Sequence, residues 1–319
     1  MSILVTGGAG YIGSHVVRLL KDRGDEVVVL DDFSTGRASR VADAALIDLD
    51  LSSPGAAEIL RRTIDEHRVE GVIHTAAQKE VGDSMLRPTY YMHQNVGGMI
   101  NLLDAMESSG LHRLVFSSSA AAYGEPDTNE VDEETRCDPI NTYGETKLIG
   151  EWLCRRSADA WGLAVFSLRY FNVAGAGWPD LGDTASLNLI PMVFDRLGGG
   201  DKPRVFGDDY PTPDGSCIRD YVHVLDLAEA HLTALDALDG AGHHVFNIGT
   251  GRGSSVFEVV EEIGRATGLD ATPQVVDRRP GDPARLVANV DKAAAELGWR
   301  ASRGLPEIVA SAWEARTSP

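Results

Sequence analysis

Ile3-Leu4-Val5-Thr6-Gly7-Gly8-Ala9-Gly10-Tyr11-Ile12-Gly13 is a short apolar run closed by a G-x-x-G-x-x-G pattern, and a helix-like segment from Ser14 to Arg23 follows it. An apolar run of this length fits a fully buried strand. Glycines at Gly7, Gly10 and Gly13 let the turn adopt unusual backbone angles and let main-chain N–H groups approach a pyrophosphate. The helix that opens there adds free donors and the positive end of its dipole. A second apolar run, Val27 to Leu30, ends in Asp31-Asp32, which places Asp31 18 residues after Gly13. A carboxylate at that strand tip accepts both ribose hydroxyls of NAD, and the two adjacent acids would repel the 2′-phosphate of NADP. Arg37 keeps the NADP alternative open, and Asp32 fits a solvated loop charge. Asp50 fits either an adenine contact or a helix N-cap.

The same texture continues outward. Val72-Ile73-His74, Leu114-Val115-Phe116 and Ala164 to Leu168 are further apolar runs, separated by amphipathic stretches such as Val96 to Glu107. Strands alternating with helices predict βαβ units and an α/β fold, a doubly wound parallel (Rossmann) sheet. Strands covered on both faces explain continuous apolar runs. After Phe171 the loops become rich in Gly, Pro and Asp, as at 175–183, 198–201 and 207–215. The expected organisation is a nucleotide-binding domain over residues 1–171 and a smaller, discontinuous α/β substrate domain over 172–319. A segment near 220–250 is expected to return to the first domain.

Composition bounds the partners. The chain has 319 residues, which at ~150 per domain suggests one large or two small domains. Lys and Arg number 29 and Asp and Glu 48, a formal net charge of −19, which argues against nucleic acid and against an anionic membrane surface. Hydrophobic residues at 43% and charged residues at 24% argue against disorder. Cys137, Cys154 and Cys217 are too few and too scattered for a disulfide framework or a metal site. No apolar run approaches the ~18 residues of a membrane span, and the N-terminus lacks a basic region, so a cytoplasmic protein is expected.

Tyr143 and Lys147 stand four apart, on one face of a helix. An ammonium beside a phenol favours the phenolate, which would make Tyr143 usable as a base near neutral pH. Ser117-Ser118-Ser119 ends a strand about two dozen residues earlier, where parallel strands present reactive groups. The residues alone favour at least one catalytic serine without selecting which.

With these motifs the chain resembles the extended short-chain dehydrogenase/reductase superfamily. It is similar in particular to the UDP-glucose 4-epimerase family. The similarity rests on Lys79-Glu80-Val81-Gly82-Asp83-Ser84, Arg169-Tyr170-Phe171-Asn172-x-x-Gly175, the loop from Gly207 to Gly215 and Ile218-Arg219-Asp220-Tyr221-Val222-His223, and it runs to about Trp299. The resemblance implies an isomerase of galactose metabolism that retains NAD and inverts C4 of a UDP-hexose through a 4-keto sugar. Tyr143 would be the base, Ser119 the catalytic serine, and Lys147 a bond to the nicotinamide ribose. Tyr11, Ile12, Asp31, Asp50, Leu51, Lys79 and Phe171 would line the NAD site. Asn172, Asn188, Leu189, Phe206, Arg219, Tyr221, Arg279 and Asp282 would hold UDP-glucose or UDP-galactose, joined by Ser119, Tyr143 and Leu286 at the sugar. Guanidinium groups suit diphosphate oxygens, although Arg278 competes with Arg279 for that role, and the two asparagines also fit plain turn residues. A homodimer joined through helices of the first domain is implied as well.

Two positions depart from the family pattern. Gln94 precedes Asn95 where an asparagine is usual, which leaves open whether Gln94 or Asn95 contacts NAD. Leu286 stands where some members carry tyrosine, and leucine, the smaller side chain, suggests room for UDP-GlcNAc or UDP-GalNAc. The alternatives are a nucleotide-sugar 4,6-dehydratase or decarboxylase, and a catalytically dead nucleotide-sensing protein. A dehydratase needs Asp-Glu just after the strand-end hydroxyl, and Ala120-Ala121-Ala122 stands there.

Overall fold

The computed structural model describes residues 1–185, 187–279 and 282–318. The chain divides into two compact units. The first comprises Met1–Gly124, Cys137–Arg169 and Ala228–Phe246, and the second Glu125–Arg136, Tyr170–Leu227 and Asn247–Pro319. Residues 125–136 therefore fold with the second unit, a crossing that no local pattern announces. The second stretch of the first unit runs to Arg169, and the chain returns to that unit over Ala228–Phe246.

The central sheet is built from β1 (Ser2–Thr6), β2 (Glu26–Asp31), β3 (Ala45–Asp48), β4 (Gly71–His74), β5 (Arg113–Ser117), β6 (Ala164–Tyr170) and β7 (Gly242–Ile248). Their order across the sheet is β7-β6-β5-β4-β1-β2-β3. All five residues of β1 are buried, as a strand covered on both faces requires. β1 pairs in parallel with β2 on one side and β4 on the other, with Thr6 opposite both Leu30 and His74. The chain thus reverses its direction of winding at β1. A ligand crevice is expected outside the carboxyl ends of strands at such a switch point. Leu4, Leu30, Val72, Leu102, Leu114 and Phe116 belong to the apolar core of this unit.

Three helices matter for the site: α1 (Tyr11–Arg23), α2 (Gly98–Ser109) and α3 (Thr142–Trp161). The turn Met92–Gly97 immediately before α2 is π-helical. Asn141 caps α3, its Oδ1 accepting from the Gly144 N–H at 2.8 Å, which fixes where Tyr143 leaves the helix.

The second unit has its own sheet. Strand Ile218–His223 is central, flanked by Gly253–Ser255, Arg285–Ala288 and Asn172–Ala174, with Glu130–Val131 beyond Arg285–Ala288. Its core includes Ile190, Phe194, Val205, Ile263 and Ile308. Among the described residues no helix is long and apolar enough to cross a membrane.

Candidate active site

The glycine turn sits on the carboxyl end of β1. Gly7 has φ +70, and a Cβ there would lie 2.6 Å from the Ala76 nitrogen. A Cβ at Gly13 would lie 2.2 Å from the Gly7 carbonyl oxygen, so only glycine lets α1 start this close to the strand. Gly10 is the N-cap of α1 and offers no side-chain cap, and the first turn of the helix holds no acid. The N–H groups of that turn lie ahead of the first helical bond, from Ser14 N to Gly10 O at 3.0 Å. Donors left this way suit a pyrophosphate.

Asp31 ends β2. Its Oδ2 accepts from the Ala9 N–H at 3.0 Å and its Oδ1 from the Phe33 N–H at 2.9 Å. Burial and nearby Asp32 and Asp48 push its pKa up, while those two backbone bonds hold it down, and burial prevails. Gly36 closes over the carboxylate, since a Cβ there would lie 2.8 Å from Oδ1, and Arg37 N donates to Ala9 O at 3.0 Å. The 32–37 loop is thereby folded against the glycine turn, a role for Gly36 that its sequence context does not signal. Asp32 binds its own loop through Ser34, as a loop charge does.

Asp50 is not a helix N-cap, because the next helix starts at Ala56 behind Gly55. It accepts from the Ser52 N–H and hydroxyl, both at 2.8 Å, and Gln94 Nε2 donates to Ser52 Oγ at 2.8 Å. Leu51 is buried beside it. Asn95 works as a joint. Its Oδ1 accepts from Gln78 N at 2.8 Å, and its Nδ2 donates to Gln78 O at 3.0 Å and to Thr146 Oγ1 at 2.9 Å. It thus ties the loop carrying Lys79 to α3. Lys79 Nζ lies 5.9 Å from the Tyr11 ring centroid. Phe171 belongs to the second unit, where its N–H donates to Ile248 O at 3.2 Å.

The three serines differ in their partners. Ser117 Oγ bonds His231 Nε2 at 2.8 Å, and Ser118 Oγ donates to Glu151 Oε1 at 2.5 Å. Ser119 alone bonds the Tyr143 side chain, and its Oγ also accepts from Ala121 N at 3.1 Å. Lys147 Nζ donates to Ser117 O at 2.8 Å and lies 5.8 Å from the Tyr143 ring centroid. The structure thus brings Ser119, Tyr143 and Lys147 to one place. Burial pushes the Tyr143 phenol up, and the group that pulls it down is Ser119. Burial also pulls the Lys147 ammonium down to about 7.

In the second unit strand register brings four of the remaining candidates together. Arg219 pairs with Leu286, and Tyr221 pairs with Asn172. Arg219 and Tyr221, two apart on one strand, share a face. Arg219 Nη2 reaches Asp282 Oδ1 at 3.1 Å. Arg279 lies over the Phe206 ring at 3.8 Å, whereas Arg278 stacks on Tyr210 and pairs with Asp209 at 2.5 Å. Arg279 makes no ion pair among the described residues, so of the two it is the one whose charge is available. Asn188 is exposed at the start of the helix Leu189–Gly198, and its Nδ2 donates to Asp183 Oδ2 at 3.2 Å without capping the helix.

Comparison with known proteins agrees with this geometry. Residues 3–249 match the model of the NAD dependent epimerase/dehydratase family. A UDP-glucose 4-epimerase of Corynebacterium glutamicum is 45% identical over 318 residues, covering 98% of this chain and 95% of that protein. The solved UDP-glucose 4-epimerase of Stenotrophomonas maltophila, with bound NAD and formylated UDP-arabinopyranose, superposes with a TM-score of 0.94 at 37% identity, covering 99% of this chain and 98% of that one. The enzyme of Brucella ovis in complex with NAD gives 0.93 at 42% identity, covering 98% and 97%. With this family model matched over residues 3–249 and relatives above 40% identical along nearly the whole chain, the chain belongs to the NAD dependent epimerase/dehydratase family.

Proposed function

We propose that the protein is a UDP-glucose 4-epimerase, which interconverts UDP-galactose and UDP-glucose while retaining NAD. The observation that carries this reading is the exit of β5: Ser119 hydrogen-bonded to Tyr143, followed by the turn Ala120–Ala122, which holds no carboxylate. A dehydratase needs an acid and a base there for C5 and C6, whereas inversion at C4 needs only the Ser-Tyr-Lys set and the cofactor. The intact set also disfavours a purely sensory protein.

The residues fit NAD. The uncapped start of α1 suits the pyrophosphate, Asp31 the ribose hydroxyls, and Asp50, Leu51 and Gln94 the adenine end. When bound, NAD supplies a reversible hydride acceptor that turns the C4 alcohol into a ketone and back. Tyr143 takes the proton of the C4 hydroxyl and returns it, and Ser119 shares that hydrogen bond. Lys147 fixes the Ser117 carbonyl and hence the strand exit. In the second unit Arg219 and Arg279 hold the diphosphate, Asp282 and Phe206 the nucleoside, and Asn172, Asn188, Leu189 and Tyr221 complete the grip. Holding the substrate by its nucleotide leaves the sugar free to turn its other face.

The assay that tests this is purified protein incubated with UDP-galactose and no added cofactor. UDP-glucose is the expected product, and its absence rejects the reading. Leu286, a small side chain opposite Arg219, favours activity on UDP-GlcNAc as well; incubation with UDP-GlcNAc that yields no UDP-GalNAc rejects that extension. A cytoplasmic homodimer completes the proposal. Ile100 of α2 and Trp152 of α3, 43% and 50% exposed, offer apolar helix surface for the pairing.

A further inference from the structure

Two buried charges of the first unit have no part in the chemistry above. Glu151 lies on α3 one turn beyond Lys147 and two beyond Tyr143, so the three share a helix face. Glu151 is 3% exposed and Arg169, near the end of β6, 5%. Arg169 Nε donates to Glu151 Oε1 at 2.9 Å and Nη2 to Oε2 at 2.6 Å, a two-point fork that stops the carboxylate from rotating. The fixed Oε1 also accepts the Ser118 hydroxyl at 2.5 Å. On its other side the Arg169 guanidinium lies 4.8 Å from the ring centroid of Tyr123, the fully buried residue that closes the Ala120–Ala122 turn.

A buried ion pair is costly to desolvate and adds little stability over apolar packing of the same shape. This pair grips both ends of the 118–123 segment. Ser119 lies inside that segment with extended backbone angles, φ −158 and ψ 147, directly after the anchored Ser118. Fixing Ser118 to the carboxylate therefore fixes the direction in which Ser119 points.

We propose that Glu151 and Arg169 are positioning residues for the C4 chemistry: acting through Ser118 and Tyr123, they hold the exit of β5 so that the Ser119 hydroxyl meets the Tyr143 phenol. The proposal rests on the epimerase reading of the site and adds to it two residues that touch neither substrate nor cofactor. A small misplacement of a reacting group costs rate far more than it costs binding.

The test is Ser118→Ala in the NAD-bound enzyme, which removes the hydroxyl and leaves the ion pair intact. Kinetics on UDP-galactose are read beside bound NAD per chain and the melting temperature. The expected result is kcat lowered about 10-fold with KM within about 2-fold, and NAD content and melting temperature unchanged. Glu151→Gln, which keeps an acceptor for Ser118, should retain more kcat than Glu151→Ala. Wild-type kcat in Ser118→Ala overturns the proposal, and so does a loss that tracks released NAD or a raised KM. A wild-type protein inactive on UDP-galactose overturns the epimerase reading and this proposal with it, whereas an active wild type with an unchanged Ser118→Ala overturns the proposal alone.

Discussion

The catalytic set of the first unit and the nucleotide-sugar set of the second are built in opposite ways. Ser119, Tyr143 and Lys147 are each less than a tenth exposed and are bonded into the strand exit and α3. Arg279, Asn172 and Asn188 are exposed, and Arg219 has only Asp282 as an ionic partner among the described residues. Proton transfer depends steeply on distance and direction, so its groups are locked before substrate arrives. Recognition of an anionic diphosphate depends on charge placed within reach, which strand register alone can provide. Net charge is a poor guide to either set: a chain of −19 holds its few useful cations at specific places.

This contrast predicts where substitutions act. Tyr143→Phe should lower kcat about 10³-fold while bound NAD per chain stays at the wild-type level, because only the proton acceptor is lost. Full activity in that variant would remove Tyr143 from the mechanism. Arg219→Met should instead raise KM for UDP-galactose about 10²-fold with a much smaller change in kcat. A kcat-only effect there would erase the distinction between the two sets.

Acid should affect both units alike. Burial pulls His74 of the first unit down to about 3 and His223 of the second down to about 4. Each is neutral in the folded chain and protonates more readily when unfolded, so stability is lost as pH falls below the ordinary histidine value. His74 alone should raise the unfolding constant about 30-fold between pH 8 and pH 5. Melting temperature measured across that range checks the sign. The smallest effect belongs to Leu286→Tyr, which should lower turnover of UDP-GlcNAc about 10-fold and leave UDP-galactose nearly unchanged.

The features legible in the sequence are those that local pattern carries. The glycine turn, Asp31 at the tip of β2 and the four-residue spacing of Tyr143 and Lys147 depend on neighbours in the chain. Choosing Ser119 from three serines needs either family resemblance or the structure, because its partner Tyr143 lies on α3, far along the chain, and its neighbours Ser117 and Ser118 are chemically identical. Glu151 carries no local signal, because a single acid on a helix fits a solvated face equally well, and Arg169 pairs with it only in space. The Glu130–Val131 strand is two residues long, too short for any periodicity to show. The four-residue spacing carries the proximity of Tyr143 to Lys147, whereas the burial that pushes the phenol up and the ammonium down depends on the whole fold.

The central claim is that the C4 hydrogen leaves the sugar and returns to the same carbon inside a protein that already holds its acceptor. UDP-galactose deuterated at C4, incubated with purified protein and no added cofactor, tests it most directly. The account predicts UDP-glucose that keeps the deuterium at C4. UDP-glucose that has lost it to solvent, or no product until NAD is added, would contradict the account.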